Sequence, residues 1–213
     1  MSDDVTTAIV IPAMRPDKIE ALATNITEAT PEPHNLYFVI GDDVCQEACE
    51  RAEVTFIRDE GDTWGNRLNS MAAIIGEPYM FCGADDVLFH SYWLTQALQA
   101  MQGIRGIVST NDMFNPSGTL PLIDMDYYHS PGCCVDTPKV IIYPGYHHNY
   151  SETELYQTAI SRGRWTYAHN SVVEHRHFEN GKAPFDPVYA AGLAHRTEDE
   201  QLYGRRKHLW GEL

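Results

Sequence analysis

Short runs of β-branched and aromatic residues alternate along this chain with segments whose apolar side chains recur every three or four positions. Val5 to Ile11 reads as a buried strand that breaks at Pro12. Arg15-Pro16-Asp17 then opens a helix whose inner face is Ile19, Leu22, Ala23 and Ile26, and Pro31 and Pro33 end it. Strands at Leu36 to Ile40 and Val54 to Ile57 bracket a short helix around Cys45 to Arg51. A helix carrying Leu68, Met71, Ala72 and Ile75 precedes a strand at Tyr79. The next helix, with Ser91 as its expected cap, turns Trp93, Leu94, Ala97, Leu98 and Met101 inward, and Ile104 to Ser109 is a further strand.

From Asn111 to Asn149 the periodicity loosens, and only Val140 to Tyr143 reads as a strand. A long irregular segment inside a domain points to a binding region. Tyr127, Tyr128, Tyr143, Tyr146 and Tyr150 suit either packing or stacking on a sugar or planar base. Ser151-Glu152-Thr153-Glu154 has the form of a capping box, with Glu154 reaching back to the serine. The helix it opens turns Leu155, Tyr156, Ala159 and Ile160 inward. Trp165 to Val173 is a strand leading into Glu174-His175-Arg176-His177, Asn180 to Pro187 is a loop, and Thr197 to Leu209 is a polar helical tail.

Strands alternating with helices imply βαβ units, a mainly parallel sheet and helices on both faces. Ligands of such sheets sit beyond the carboxyl ends of the strands. Here Pro12 to Arg15, Gly41 to Asp43, Arg58 to Asp62 and Gly83 to Asp86 each follow a strand directly, so one edge collects an excess of carboxylates. The sharpest feature is Tyr79-Met80-Phe81-Cys82 running into Gly83-Ala84-Asp85-Asp86. Two adjacent acids at the end of a buried strand repel each other and require a counter-charge. A divalent cation that also holds a phosphate is the usual remedy, and a solvated polar loop is the plain alternative.

Composition narrows the field. The 213 residues, 43% hydrophobic, can bury one substantial core, and no apolar run is long enough to span a bilayer. The formal net charge of -15 opposes broad binding to polyanions. The basic run Arg205-Arg206-Lys207-His208 is either a phosphate-contacting patch or a solvated helix end. Five cysteines without metal-site spacing, and an acidic Met1-Ser2-Asp3-Asp4 where a signal peptide would be basic, suggest a reducing, cytoplasmic setting.

Taken in order, Ile11-Pro12-Ala13-Met14-Arg15, Asp42-Asp43, Gly65-Asn66-Arg67-Leu68-Asn69, Gly83-Ala84-Asp85-Asp86, Ser151-Glu152-Thr153-Glu154-Leu155 and His175-Arg176-His177 resemble the GT-A fold glycosyltransferases, especially glycosyltransferase family 2. The resemblance implies a Rossmann-like α/β three-layer sandwich over residues 1–178, with a donor-binding half to about 110 and an acceptor-side half from about 111, followed by a loop and helical tail at 179–213. It also implies a nucleotide-sugar donor, a UDP-sugar being favoured, with Mn2+ or Mg2+. Pro12, Ala13, Arg15, Asp42, Asp62, Arg67, Ala84 and Asp85 would line the donor site. Asp85, His175 and His177 would hold the metal, and Glu152 would be the general base of an inverting transfer to an acceptor hydroxyl. The acceptor would be a glycan, a metabolite or a hydroxymethylated DNA base.

The family's metal motif begins with an aspartate that contacts ribose or metal-bound water, and this chain departs from it with Gly83 at that position. Two other readings stay open: a non-catalytic nucleotide- or sugar-binding module on the same fold, and a zinc hydrolase built on Asp85, His175 and His177.

Overall fold

A computed structural model describes residues 5–116 and 118–210, so the Met1-Ser2-Asp3-Asp4 terminus lies outside the described residues. Eight strands, β1 (Thr7–Pro12), β2 (His34–Ile40), β3 (Phe56–Arg58), β4 (Tyr79–Cys82), β5 (Val87–Phe89), β6 (Ile107–Asn111), β7 (Pro121–Asp124) and β8 (Trp165–His175), form a sheet in the order β3-β2-β1-β4-β7-β6-β8-β5. The first four run parallel, β7 lies antiparallel between β4 and β6, β8 runs parallel to β6, and β5 closes the edge antiparallel to β8. The helices are α1 (Ile19–Ala29), α2 (Asp43–Arg51), α3 (Trp64–Ala72), α4 (Trp93–Met101), α5 (Met125–His129), α6 (Ser151–Ser161), α7 (Pro187–Ala194) and α8 (Arg196–Arg206). Among the described residues no helix is long and apolar enough to cross a membrane.

Strand alternation divides the core in two. Ile9, Ile11, Phe38, Ile40 and Phe81 pack against α1, α2 and α4 on one face. Ala8, Val10, Val39, Met80 and Cys82 pack against α3, α5 and α6 on the other. Helices therefore cover both faces of a mixed sheet whose β3-β2-β1-β4 half is parallel, as the alternating pattern predicts.

The departures from expectation are local. β5 and β7 are absent from the sequence reading, being three and four residues long, and β7 opens with proline. Val140 to Tyr143 is no strand. Ile141 and Ile142 instead donate their N–H groups to Asn69 Oδ1 at 2.8 and 3.0 Å, while Asn69 Nδ2 donates to the Ile142 carbonyl at 2.8 Å. Ser91 does not cap α4, because Tyr92 precedes the helix in the left-handed region with φ 67° and no side chain caps it. The capping box at α6 also fails for the same reason: Tyr150 holds the N-cap position at φ 63°, and Glu154 is buried. The segment expected as loop up to Pro187 leads directly into α7, capped by Asp186, whose side chain accepts from Tyr189 N.

The basic tail is not simply solvated. Arg206 is buried and its Nη2 lies 2.8 Å from both Glu154 Oε1 and Asp136 Oδ1, while its guanidinium carbon sits 3.4 Å above the Tyr143 ring. Arg205, Lys207 and His208 are exposed. The five tyrosines considered for ligand stacking are engaged in packing: Tyr127, Tyr128 and Tyr146 are buried, Tyr143 lies under Arg206, and Tyr150 stacks on Tyr203 at 5.3 Å.

Candidate active site

The parallel strands β1, β2 and β4 end together, so the loops after them meet at one edge. Pro12 and Ala13 are buried there, and Ala13 N donates to the Val39 carbonyl at 2.9 Å. Asp85 and Asp86 follow β4, both buried. Asp85 Oδ2 accepts from the backbone N–H groups of Met14 at 2.7 Å and Arg15 at 2.9 Å, and its Oδ1 accepts from Arg15 Nη1. Arg15 Nε in turn donates to Asp186 Oδ2 at 2.6 Å, and its guanidinium rests 4.4 Å from the centre of the Tyr189 ring. Asp85 and Asp186 thus clamp one guanidinium, the second of them 171 positions from Arg15 in sequence.

Asp86 has its own partners. His175 Nε2 lies 3.3 Å from Asp86 Oδ1, and the Tyr189 hydroxyl donates to Asp86 Oδ2 at 2.9 Å. The counter-charge that two adjacent buried carboxylates demand is supplied within the chain by Arg15 and His175.

Titration follows from this arrangement. Burial alone would raise the Asp86 carboxyl, but His175, Arg15 and Tyr189 hold it well below the usual carboxylate range. Burial alone would lower the His175 imidazole, yet the Asp86 carboxylate, with Asp112 and Glu152 beyond it, shifts it upward. Burial raises the Asp85 carboxyl, with the Arg15 guanidinium and the Met14 N–H opposing. Burial and the neighbouring His175 both lower His177.

The remaining expected site residues fall in three groups. Glu152 lies at the start of α6, half-buried, with Ser151 Oγ 3.1 Å from its Oε2, and it acts electrostatically on His175. Asp42, Asp62 and Ala84 lie in the loops after β2, β3 and β4. Asp42 is exposed and caps α2 by accepting from Cys45 N at 2.7 Å, and Asp62 Oδ1 lies 3.4 Å from Asn66 Nδ2. Arg67 is buried and works on the loops themselves, donating to the carbonyls of Gly61 at 3.0 Å and Ala13 at 3.1 Å.

Asp85, His175 and His177 do not converge. His175 turns to Asp86, and His177 Nδ1 accepts from Glu179 N at 3.3 Å. Among the described residues the group of three or more histidine, cysteine or acidic side chains with mutually close ligand atoms is His147, His195 and Glu198. The closed three-ligand centre a zinc hydrolase would need at Asp85 is therefore not assembled.

Gly83 has a steric basis. A Cβ there would collide with Ile11 Cδ1 and crowd Phe81 Cε1 at 3.2 Å, and Trp64 Nε1 donates to its carbonyl at 2.8 Å. An aspartate at this position requires the Ile11 side chain to shift. Asp186 and Tyr189 are the site residues that sequence reasoning missed, although Asp186-Pro187 is a helix-start signal that marks α7.

No family model matches the chain, and no curated protein matches it. Solved structures do. A mannosyltransferase from Pyrobaculum calidifontis, in complex with GDP-Man and Mn2+, superposes with TM-score 0.69 at 14% identity over 94% of this chain. This chain spans 64% of that protein's length. Glucosyl-3-phosphoglycerate synthase from Mycobacterium tuberculosis, in complex with Mn2+ and UDP-Glc, superposes with TM-score 0.64 at 13% identity, covering 94% of this chain and 78% of its own. The polypeptide therefore has the GT-A fold, the architecture of these nucleotide-sugar glycosyltransferases.

Proposed function

We propose that the chain is a metal-dependent, inverting glycosyltransferase that moves a sugar from a nucleoside-diphosphate donor to an acceptor hydroxyl. The observation that carries this reading is the pair of buried carboxylates after β4 of a GT-A sheet, Asp85 held by Arg15 and Asp86 by His175, with Glu152 acting electrostatically on that histidine. The donor lies along the carboxyl edge of the sheet, with Pro12, Ala13 and Ala84 as its floor. Asp42 and Asp62 stand at the base and ribose end.

The carboxylate and imidazole donors suit Mn2+ or Mg2+, which take one or two protein ligands and share the rest of their shell with phosphate and water. A cation already stands against Asp85 in the form of the Arg15 guanidinium, so the position is built for positive charge. Asp85 would hold the metal, with His175 as the second donor. When bound, the ion supplies charge stabilisation to the departing diphosphate. Arg15 would pair with the diphosphate, a geometry its planar fork suits. Asp186 and Tyr189 keep that guanidinium within reach of the site. Glu152 accepts the proton of the attacking hydroxyl on the opposite face.

Of the acceptors considered, a nucleic acid has the least support, because Arg206 is committed to Glu154 and Asp136. A second reading is favoured by Gly83 and by the Arg15–Asp85 pair: a module that binds nucleotide without metal or turnover.

Donor hydrolysis and transfer, measured with UDP-, GDP- and dTDP-sugars in the presence of Mn2+ and again with EDTA, separate the two. Metal-dependent transfer with inversion at the anomeric carbon, abolished by Asp85→Ala, supports the enzyme. Nucleotide binding that ignores EDTA, with no turnover, supports the module.

A further inference from the structure

His147 precedes α6 in a loop, His195 joins α7 to α8, and Glu198 lies in the first turn of α8. Their ligand-capable atoms all fall within 4.8 Å of one another. His195 Nδ1 is 3.0 Å and His147 Nε2 is 3.6 Å from the same oxygen, Glu198 Oε2, and the two imidazoles stack at 4.0 Å.

The backbone under these side chains is fixed. Asp199, buried, accepts three consecutive N–H groups, from His147 at 2.9 Å, His148 at 2.9 Å and Asn149 at 2.7 Å. Asn149 Nδ2 adds a bond to the Gly192 carbonyl at 3.0 Å. The three side chains themselves are part-exposed, 44–67% accessible. A rigid frame carrying adjustable donors lowers the ordering cost of a bound ion.

We propose that His147, His195 and Glu198 form a zinc site, distinct from the donor edge and independent of the glycosyltransferase reading. Two imidazole nitrogens and one carboxylate oxygen are a zinc donor set, where magnesium or calcium would call for oxygen alone. In a tetrahedral shell the donor atoms stand about 3.3 Å apart, and Glu198 Oε2 is already near that distance from both rings. Closing the shell requires one imidazole to swing out of the stack. The fourth position takes water. The chain's net charge of -15 favours capture of a cation at such a surface. Zinc here would fasten the loop leading into Glu152 to the junction behind α7, the helix whose Tyr189 supports Asp86.

The test uses the full chain stripped of metal and titrated with Zn2+ against a chromophoric chelator. Wild type is expected to bind one zinc and to melt at higher temperature with it. His147→Ala and Glu198→Gln are expected to weaken binding by an order of magnitude or more. His195→Cys, which keeps a zinc donor, is expected to retain binding, and Asp85→Asn to leave the stoichiometry unchanged. Cobalt in place of zinc should give the intense visible bands of a four-coordinate ion. No zinc uptake by a wild-type chain that melts cooperatively would overturn the proposal, as would equal affinity in a folded His147→Ala/His195→Ala variant.

Discussion

Arg15 holds Asp85 in a buried ion pair that joins the end of β1 to the end of β4, with side chains only 8% and 5% accessible. Such pairs are costly to break from one side, because the partner is left charged and dry. The geometry gives Arg15 two tasks, neutralising Asp85 and bridging to Asp186 at the start of α7.

Replacing Arg15 by methionine should therefore cost about 3 kcal/mol of folding free energy, read from urea denaturation. Adding Asp85→Asn to that variant should recover part of the loss. A single-variant loss under about 1 kcal/mol would mean the pair behaves as a surface contact.

Gly83→Asp supplies, in sequence but not in space, the aspartate that opens the metal motif of the glycosyltransferases this chain resembles. With Ile11 Cδ1 in the way, the variant should lose about 1–3 kcal/mol through overpacking and gain no affinity for Mn2+. Combining it with Ile11→Ala makes room. A metal-affinity gain in the single variant would show that the strand end is more pliable than its packing implies.

Glu152→Gln should leave donor binding and melting temperature near wild type while cutting transfer by about 100-fold or more, the range for loss of a general base. Single-turnover kinetics separate this from an effect on donor affinity. Unchanged turnover would move the base elsewhere on the acceptor side.

Away from the donor edge, Arg206 sets a testable titration. Its hydrogen bond is the largest influence on Asp136, whose carboxyl is lowered to about 2 against a smaller opposing effect of burial. A depressed folded-state value means the stabilisation is complete above the ordinary carboxylate range and is lost as pH falls through about 2. Asp136 is 41% accessible, so solvent screens the pair and the stability effect is small. A carbon-detected NMR titration should place Asp136 near 2 in wild type and return it toward its ordinary value in Arg206→Met. An ordinary value in wild type would contradict the pairing.

Much of this architecture is visible in local patterning. The spacing of Ile19, Leu22, Ala23 and Ile26 marks α1, all four are buried, and the apolar run before Asp85-Asp86 marks β4. The need for positive charge beside those acids was also legible. Its source was not, since Arg15 and His175 come from distant segments and no short-range period records their approach. Asp186 escaped because a loop-like stretch hides its partnership with Arg15, although its proline neighbour announces a helix. The expected caps at Ser91 and Ser151 failed because the chain enters both helices through a left-handed tyrosine, Tyr92 or Tyr150, a conformation that residue type does not advertise.

The most direct test of the donor-site account is calorimetric titration of UDP- and GDP-sugars into wild type and Asp85→Asn, each with Mn2+ and with EDTA. The account predicts that wild type binds a donor tightly only with the metal, and that Asp85→Asn, still folded by its melting curve, loses that metal-dependent gain. Donor affinity that is the same in all four titrations would contradict it.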